Sequence, residues 1–211
     1  MNPWEDRFPR LWAFGEKVSV LVIGGLLFFL FAAPVITIPA ALVGLVSAAG
    51  ALIRPVPGET VGRFWRGFKR SFGRALLLGL IDLVVGGVLW FDFQFFMAMG
   101  SPLTRVAAYL FASLGFVAAM ANVYAWPLLA WFPQPLGPLL KRSLMLAAAH
   151  PLQAMLGLAC VLAVGLLYMV LPGPVKSLAV LLGPGLIALS LGAAAWLAMK
   201  RYARPDEEFA E

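Results

Sequence analysis

The sequence predicts an all-α protein, a polytopic transmembrane helical bundle with six spans and both termini in the cytoplasm. Three observations predict this fold class. Apolar residues make up 62% of the chain and charged residues 12%, whereas soluble domains carry about 25% charged residues. A run of 36 residues between Lys17 and Arg54 contains no charged side chain. Most of the Lys and Arg residues lie at the ends of the predicted spans that share one side of the membrane.

The uncharged run between Lys17 and Arg54 is too long for one straight span. A helix of 36 residues would be about 54 Å long, while the hydrocarbon core of a bilayer is about 30 Å thick. Pro34 and Pro39 bracket a predicted turn. We therefore interpret the run as two short spans at residues 18–33 and 39–53. The later apolar segments predict spans at residues 75–97, 106–131, 143–171 and 177–199.

The distribution of basic residues predicts the orientation of these spans. In the six-span interpretation, fourteen of the sixteen Lys and Arg residues lie on the side of both termini, and only Arg105 and Lys176 lie opposite. Basic residues are retained on the cytoplasmic side, so both termini are expected there. An alternative with five spans, in which residues 18–53 cross once, separates the charges less well. The chain is treated as one integral membrane domain, residues 1–211, of the bacterial cell (inner) membrane.

Residues 60–73 predict a helix that lies in the headgroup layer before the third span. Aromatic side chains recur on one side of this helix and cations fill much of the rest, a pattern typical of interfacial helices. The bland interpretation is a membrane anchor, and the sharper one is a docking surface for a cytoplasmic partner or for anionic lipid headgroups. The predicted surface consists of Arg63, Phe64, Trp65, Arg66, Phe68, Lys69, Arg70 and Phe72.

Three stretches resemble the YesL-like family of bacterial integral membrane proteins, a domain of unknown function. They are APVITIPA at residues 33–40, FWRGFKRSFGRALLLGLI at residues 64–81 and LLKRSLMLAAAHP at residues 139–151. The chain departs from the family pattern where Ile38 runs directly into Pro39, since family members usually carry a glycine between them. The resemblance implies a role near carbohydrate uptake, because many members are encoded beside ATP-powered sugar transporters. It implies no catalytic residue.

Ionisable groups inside the membrane are functional candidates, because placing Asp at mid-span costs about 2.5–3.5 kcal/mol. Asp82, Asn122 and His150 are predicted at a similar depth, roughly 10–14 Å from the cytoplasmic edge at about 1.5 Å per residue. Gln153, one turn after His150, extends this polar layer. The layer is either a site for a hydroxylated solute or a proton, or a set of interhelical hydrogen bonds that fix packing.

Asp92 lies nearer the outer face among aromatic residues, and Arg105 follows just across the short outer loop. We expect an ion pair between these two side chains to close the hairpin of the third and fourth spans.

The motifs of several enzyme classes are absent from the sequence. There is no phosphate-binding Gly-x-x-x-x-Gly-Lys-Ser/Thr loop, no nucleophile elbow and no set of metal ligands with zinc spacing. We therefore expect no enzyme activity, no cofactor and no metal. The leading hypothesis is a membrane protein accessory to carbohydrate uptake, with a carbohydrate ABC transporter as partner and no nucleic acid. The alternative is a small solute transporter or channel with a polar intramembrane site.

Overall fold

The structure is a computed structural model that describes residues 9–53, 59–132 and 134–200. Within these ranges the chain is all-α, as predicted, and contains no strand. Its helices are α1 (Pro9–Ala32), α2 (Ile38–Ala49), α3 (Thr60–Ala98), α4 (Pro102–Trp131), α5 (Leu136–Ala149), α6 (Pro151–Val170) and α7 (Gly173–Met199), with short 3₁₀ turns at Val35–Thr37 and Gly50–Leu52. The acidic residues near the end of the chain, Asp206, Glu207 and Glu208, lie outside the described residues.

Five segments of the described chain are long and apolar enough to cross a membrane. They are Val35–Leu52, Thr60–Ala98, Pro102–Trp131, Pro151–Val170 and Ala179–Met199, and a shorter apolar helical segment, Val18–Ala32, precedes them. A helical bundle with this many apolar segments is an integral membrane protein. Whether residues 18–53 cross once or twice, and which side holds the termini, stay predictions.

Helix α3 is longer than the sequence pattern predicts. Residues 60–73 and residues 75–97 lie on one continuous helix of 39 residues, so the predicted break near residue 74 is absent. Its length is about 58 Å at about 1.5 Å per residue. No proline interrupts residues 60–98, and Ser71, Ala75 and Leu78 are buried on both sides of the expected break. Packing on these residues therefore keeps the helix continuous through its charged part.

The predicted span at residues 143–171 is interrupted at His150. Helix α5 ends at Ala149, His150 adopts φ −130° and ψ 58°, and α6 begins at Pro151. Proline disfavours the helical conformation in the residue before it and has no N–H to continue the helical hydrogen bonds. It is also well suited to the first position of a new helix. The interruption consequently separates Lys141 and Arg142 on α5 from the apolar helix α6.

Helices α1 and α2 form a hairpin whose turn is at the predicted place. The Thr37 hydroxyl lies 2.7 Å from the Pro34 carbonyl oxygen and also reaches the Phe31 carbonyl, which closes the turn. Helix α2 runs antiparallel to α3, because Ser47 lies against Gly67 and Pro39 lies against Gly79. Contact between α2 and this face of α3 therefore ends near Gly79, well before the end of α3.

The core is built around α2. Its buried residues come mainly from α2, the first half of α3, the second half of α4, and parts of α5 and α7. In lipid, helices associate through van der Waals packing rather than through the hydrophobic effect, and small residues allow the close approach that this packing needs. A Cβ added at Gly44 of this interface would lie 3.0 Å from the nearest atom of the facing helix. One added at Gly67 would lie 2.2 Å from the nearest atom of the facing helix.

Candidate functional site

Two of the predicted polar residues meet between α3 and α4. The Asn122 side-chain amide donates a hydrogen bond of 2.9 Å to a carboxylate oxygen of Asp82. Both side chains are half-buried. A carboxylate in an apolar helix pair is stabilised by such a donor, because an unsatisfied polar group there is costly. Two of the four residues predicted at a similar depth are therefore in contact between α3 and α4.

Asp82 and Asn122 line a cavity of about 510 Å³ between α3 and α4. This volume is within the range of small-molecule sites, about 300–1,000 Å³. Apart from the polar pair, the walls are apolar and aromatic. They comprise Val85, Gly86, Leu89, Trp90 and Phe93 of α3, and Phe111, Ala112, Gly115, Ala118 and Ala119 of α4.

The cavity continues the face of α3 that forms the core. The buried residues Phe64, Phe68, Ser71, Ala75 and Leu78 and the cavity residues Asp82, Val85, Leu89 and Phe93 follow one another at spacings of three and four, which places them on one side of the helix. The cavity therefore lies where the core-facing side of α3 continues.

The shortness of α2 explains why this face opens into a cavity. Pro39, at the start of α2, lies against Gly79, and Asp82 is the next residue on that face, one turn further along α3. Beyond Gly79 helix α2 no longer covers α3. The polar pair is thus located at the boundary between the filled core and the cavity.

His150 and Gln153 do not join this cavity. His150 is buried at the interruption between α5 and α6, and its carbonyl oxygen accepts a hydrogen bond of 2.8 Å from the Tyr124 hydroxyl. Gln153 is half-buried on the first turn of α6. The predicted four-residue layer is therefore divided. A similar distance from the membrane edge does not make residues neighbours when their helices present different faces.

The expected ion pair between Asp92 and Arg105 is absent. Phe96 stacks on Phe111, with ring centroids 5.5 Å apart, which sets the register of α3 against α4. In this register Asp92 is level with residues 112–115, roughly 10–15 Å from Arg105 at about 1.5 Å per residue. The prediction was wrong because it relied on the closeness of Asp92 and Arg105 along the chain. In a helical hairpin, each residue faces the residue of the other helix that lies at a similar distance from the turn.

The basic-aromatic segment faces largely inward. Phe64 and Phe68 are buried, and the Phe31 ring of α1 lies 5.7 Å and 5.1 Å from them, centroid to centroid. They are core residues, which corrects their assignment to a docking surface. The exposed remainder of the predicted surface is Trp65, Arg66, Lys69, Arg70 and Phe72. Docking of a partner or of lipid on that remainder stays a prediction.

Two residues of this segment donate hydrogen bonds to carbonyl groups at the end of α4. Arg70 donates a hydrogen bond of 2.6 Å to the Ala130 carbonyl, and Ser71 donates one of 3.2 Å to the Leu129 carbonyl. The last carbonyls of a helix lack intrahelical donors and carry partial negative charge. A cation and a hydroxyl from α3 satisfy them. Lys69 lies 4.9 Å from the centre of the Trp65 ring, a cation–π contact.

Sequence reasoning missed Tyr124 and Gln134. Tyr124 is fully buried and joins α4 to the interruption at His150, and Gln134 is buried beside two arginines. A tyrosine amid apolar residues gives no signal of its partner. Gln134 stands between Pro133 and Pro135, a place where a loop residue is expected. In the described part of the chain, no group of three His, Cys, Asp or Glu side chains is arranged to hold a metal ion.

Comparison with known proteins gives one match. Residues 21–93, which are 73 of the 211 residues, match the family described as "Protein of unknown function, DUF624". The matched part contains the turn between α1 and α2, the basic-aromatic segment and the α3 wall of the cavity, including Asp82. No curated protein matches the chain. No solved structure matches it either.

Proposed function

We propose that this integral membrane protein binds a small hydroxylated solute, a sugar, in the cavity between α3 and α4, and that it serves carbohydrate uptake without catalysing a reaction. The observation that carries the proposal is the Asp82–Asn122 pair at the cavity wall. We also propose that the protein is a member of the YesL-like family, that it is located in the bacterial cell membrane, and that a carbohydrate transporter is its partner.

The chemistry of the cavity suits a sugar. A carboxylate and an amide provide acceptors and donors for hydroxyl groups, and they fix the orientation of a ligand in an otherwise apolar site. Trp90, Phe93 and Phe111 contribute aromatic rings to the same wall. Such rings have large apolar faces that cover the C–H surface of a sugar ring. A purely packing role for the pair would not require open space beside it.

The exposed remainder of the basic-aromatic segment supports the accessory part of the proposal. Trp65 and Phe72 stay about 40% exposed, on the same helix that carries the cavity wall. Arg66 and Lys69 are exposed beside them. Aromatic and Arg residues are the side chains most enriched at protein interfaces. A transporter subunit bound here would be connected with the solute site through one rigid helix.

Binding of sugars to purified protein in detergent tests the solute site. Asp82→Asn keeps an oxygen that accepts the hydrogen bond from Asn122 but removes the charge. We expect it to weaken sugar binding roughly tenfold or more, since a hydrogen bond to a charged group is worth about 1.5–3 kcal/mol. Asp92→Asn is the matched control, because it removes the same charge from α3 outside the cavity, and it should bind as the unmodified protein does.

Unchanged affinity in Asp82→Asn, or no binding of mono- and disaccharides at millimolar concentration, would refute the solute site. The accessory role has a separate test. Purification in mild detergent should recover carbohydrate-transporter subunits, and Arg66→Gln with Lys69→Gln should reduce that recovery. If liposomes that contain only this protein take up sugar, and Asp82→Asn abolishes the uptake, the protein is a transporter itself and the accessory role is wrong.

A further inference from the structure

A second cavity lies at the other end of α4. It has a volume of about 450 Å³ and is formed by the last turn of α4, by α5 and by the end of α7. Leu128, Phe132, Ala149 and Met199 are among the apolar residues that line it, and among the described residues Arg142 is its one charged lining residue. An apolar cavity with a single guanidinium differs chemically from the solute cavity, whose charged residue is a carboxylate.

Arg142 connects this cavity to a cluster of hydrogen-bond donors around Gln134. Arg142 donates a hydrogen bond of 2.8 Å to the Gln134 side-chain oxygen, and Arg74 donates one of 3.3 Å to the Gln134 carbonyl. Both acceptors of Gln134 are therefore engaged by arginines. Two guanidinium groups from α3 and α5 converge on this one residue.

The side-chain nitrogen of Gln134 lacks an acceptor within the described parts of the chain. Gln134 is only 7% exposed, so water does not replace the missing partner freely. A buried donor without an acceptor costs about 1–3 kcal/mol, which makes such groups rare. Flanked by two arginines, this donor is arranged to receive an anion.

Helices α4, α5, α6 and α7 provide no carboxylate here. The sequence contains no Asp or Glu from residue 93 to residue 200, although Lys141, Arg142 and Lys200 lie in that stretch. Positive charge at this end of the bundle is thus uncompensated by acidic residues of α4, α5, α6 or α7. Basic pockets between transmembrane helices at the cytoplasmic side are typical binding places for anionic lipid headgroups.

We propose a binding site for an anionic phospholipid at Arg142. There the apolar cavity meets the Gln134 side-chain nitrogen, which lacks an acceptor within the described residues. The phosphate accepts hydrogen bonds from Arg142 and from the Gln134 side-chain nitrogen, and an acyl chain occupies the cavity lined by Ala149 and Met199. Both halves of the ligand are needed, because the donors require an anion and the cavity requires hydrocarbon. This site is separate from the exposed surface of α3 and from the solute cavity.

Lipid binding to the delipidated full chain in detergent, followed by native mass spectrometry, tests the proposal. We expect phosphatidylglycerol to bind at least tenfold more tightly than phosphatidylcholine. Arg142→Gln should remove that preference, since a charge-assisted hydrogen bond to phosphate is worth roughly a factor of ten. Lys141→Gln removes a neighbouring charge that does not line the cavity, and it should keep the preference.

The acyl-chain half is tested without changing any charge. Ala149→Trp fills the cavity and should weaken phosphatidylglycerol binding severalfold, whereas Ala148→Trp, at an exposed neighbour outside the lining, should not. Equal binding of the two lipids, or an equal effect of Arg142→Gln and Lys141→Gln, overturns the proposal. Inorganic phosphate that competes fully at millimolar concentration, with no effect of Ala149→Trp, also overturns it and assigns the donors to a free anion.

Discussion

Replacement of Gly67 by alanine tests the central helix contact of the fold. A Cβ at this position would lie 2.2 Å from the Ser47 hydroxyl oxygen and 2.6 Å from the Ser47 Cβ. Ordinary contact requires about 3.5–4.0 Å, so the overlap is about 1 Å. Rotation of the hydroxyl does not relieve it, because the Ser47 Cβ is fixed to the α2 backbone. Helices α2 and α3 must therefore separate.

The expected cost follows from this overlap. Overpacking of a filled core destabilises by about 1–3 kcal/mol. Gly73→Ala is the matched control, because nothing lies within 4 Å of the Cβ it would add to the same helix. It should stabilise the protein by about 0.5–1 kcal/mol through helix propensity. The two variants should thus differ by about 1.5–4 kcal/mol in free energy of unfolding.

Thermal unfolding in detergent, followed by circular dichroism, measures this difference. A difference of this size corresponds to a gap of roughly 3–16 °C in Tm for a chain of about 200 residues, with Gly67→Ala the lower. Equal Tm values, or a more stable Gly67→Ala, would refute the contact between α2 and α3. The register that leaves Asp82 beside an open cavity would then have no support.

Two further variants probe the ends of the helices. Tyr124→Phe removes the hydrogen bond to the His150 carbonyl and should destabilise by about 1 kcal/mol; Tyr109→Phe, at an exposed tyrosine of the same helix, should change nothing, and equal Tm values for the two variants would contradict the structure. Arg70→Gln leaves a carbonyl at the end of α4 without its cation and should also lower Tm, while Arg66→Gln should not; a reversed order in the same melting assay would show that Arg70 is dispensable there.

Apolar length and proline positions predicted the all-α class of this protein, although they missed the continuity of α3 and the division between α5 and α6. They predicted the turn between α1 and α2. The rise per residue placed Asp82 and Asn122 at a similar depth, together with His150 and Gln153, but did not show which of the four are neighbours. Depth along a span follows from the constant rise per residue, so it is readable from sequence. Pro151 stands at the position at which the fifth predicted span is interrupted.

The sequence did not predict which face of each helix turns inward. Phe64 and Phe68 have the pattern of an interfacial helix, yet they contact Phe31 in the core. Asp92 and Arg105 are close along the chain, yet the register of α3 against α4 separates them. In both cases the deciding contact involves a residue on another element, and the periodicity of one helix contains no information about its partner.

Composition and charge by themselves determined that this chain is a helical membrane protein, because lipid tolerates few charges and only satisfied backbone. Tertiary structure alone decided where space is left unfilled. The cavity between α3 and α4 exists because α2 stops covering α3 near Gly79. The proposed lipid site depends on Arg74 and Arg142, which are distant in sequence but converge on Gln134. Both depend on the relative positions of helices, which packing sets and which no single segment encodes.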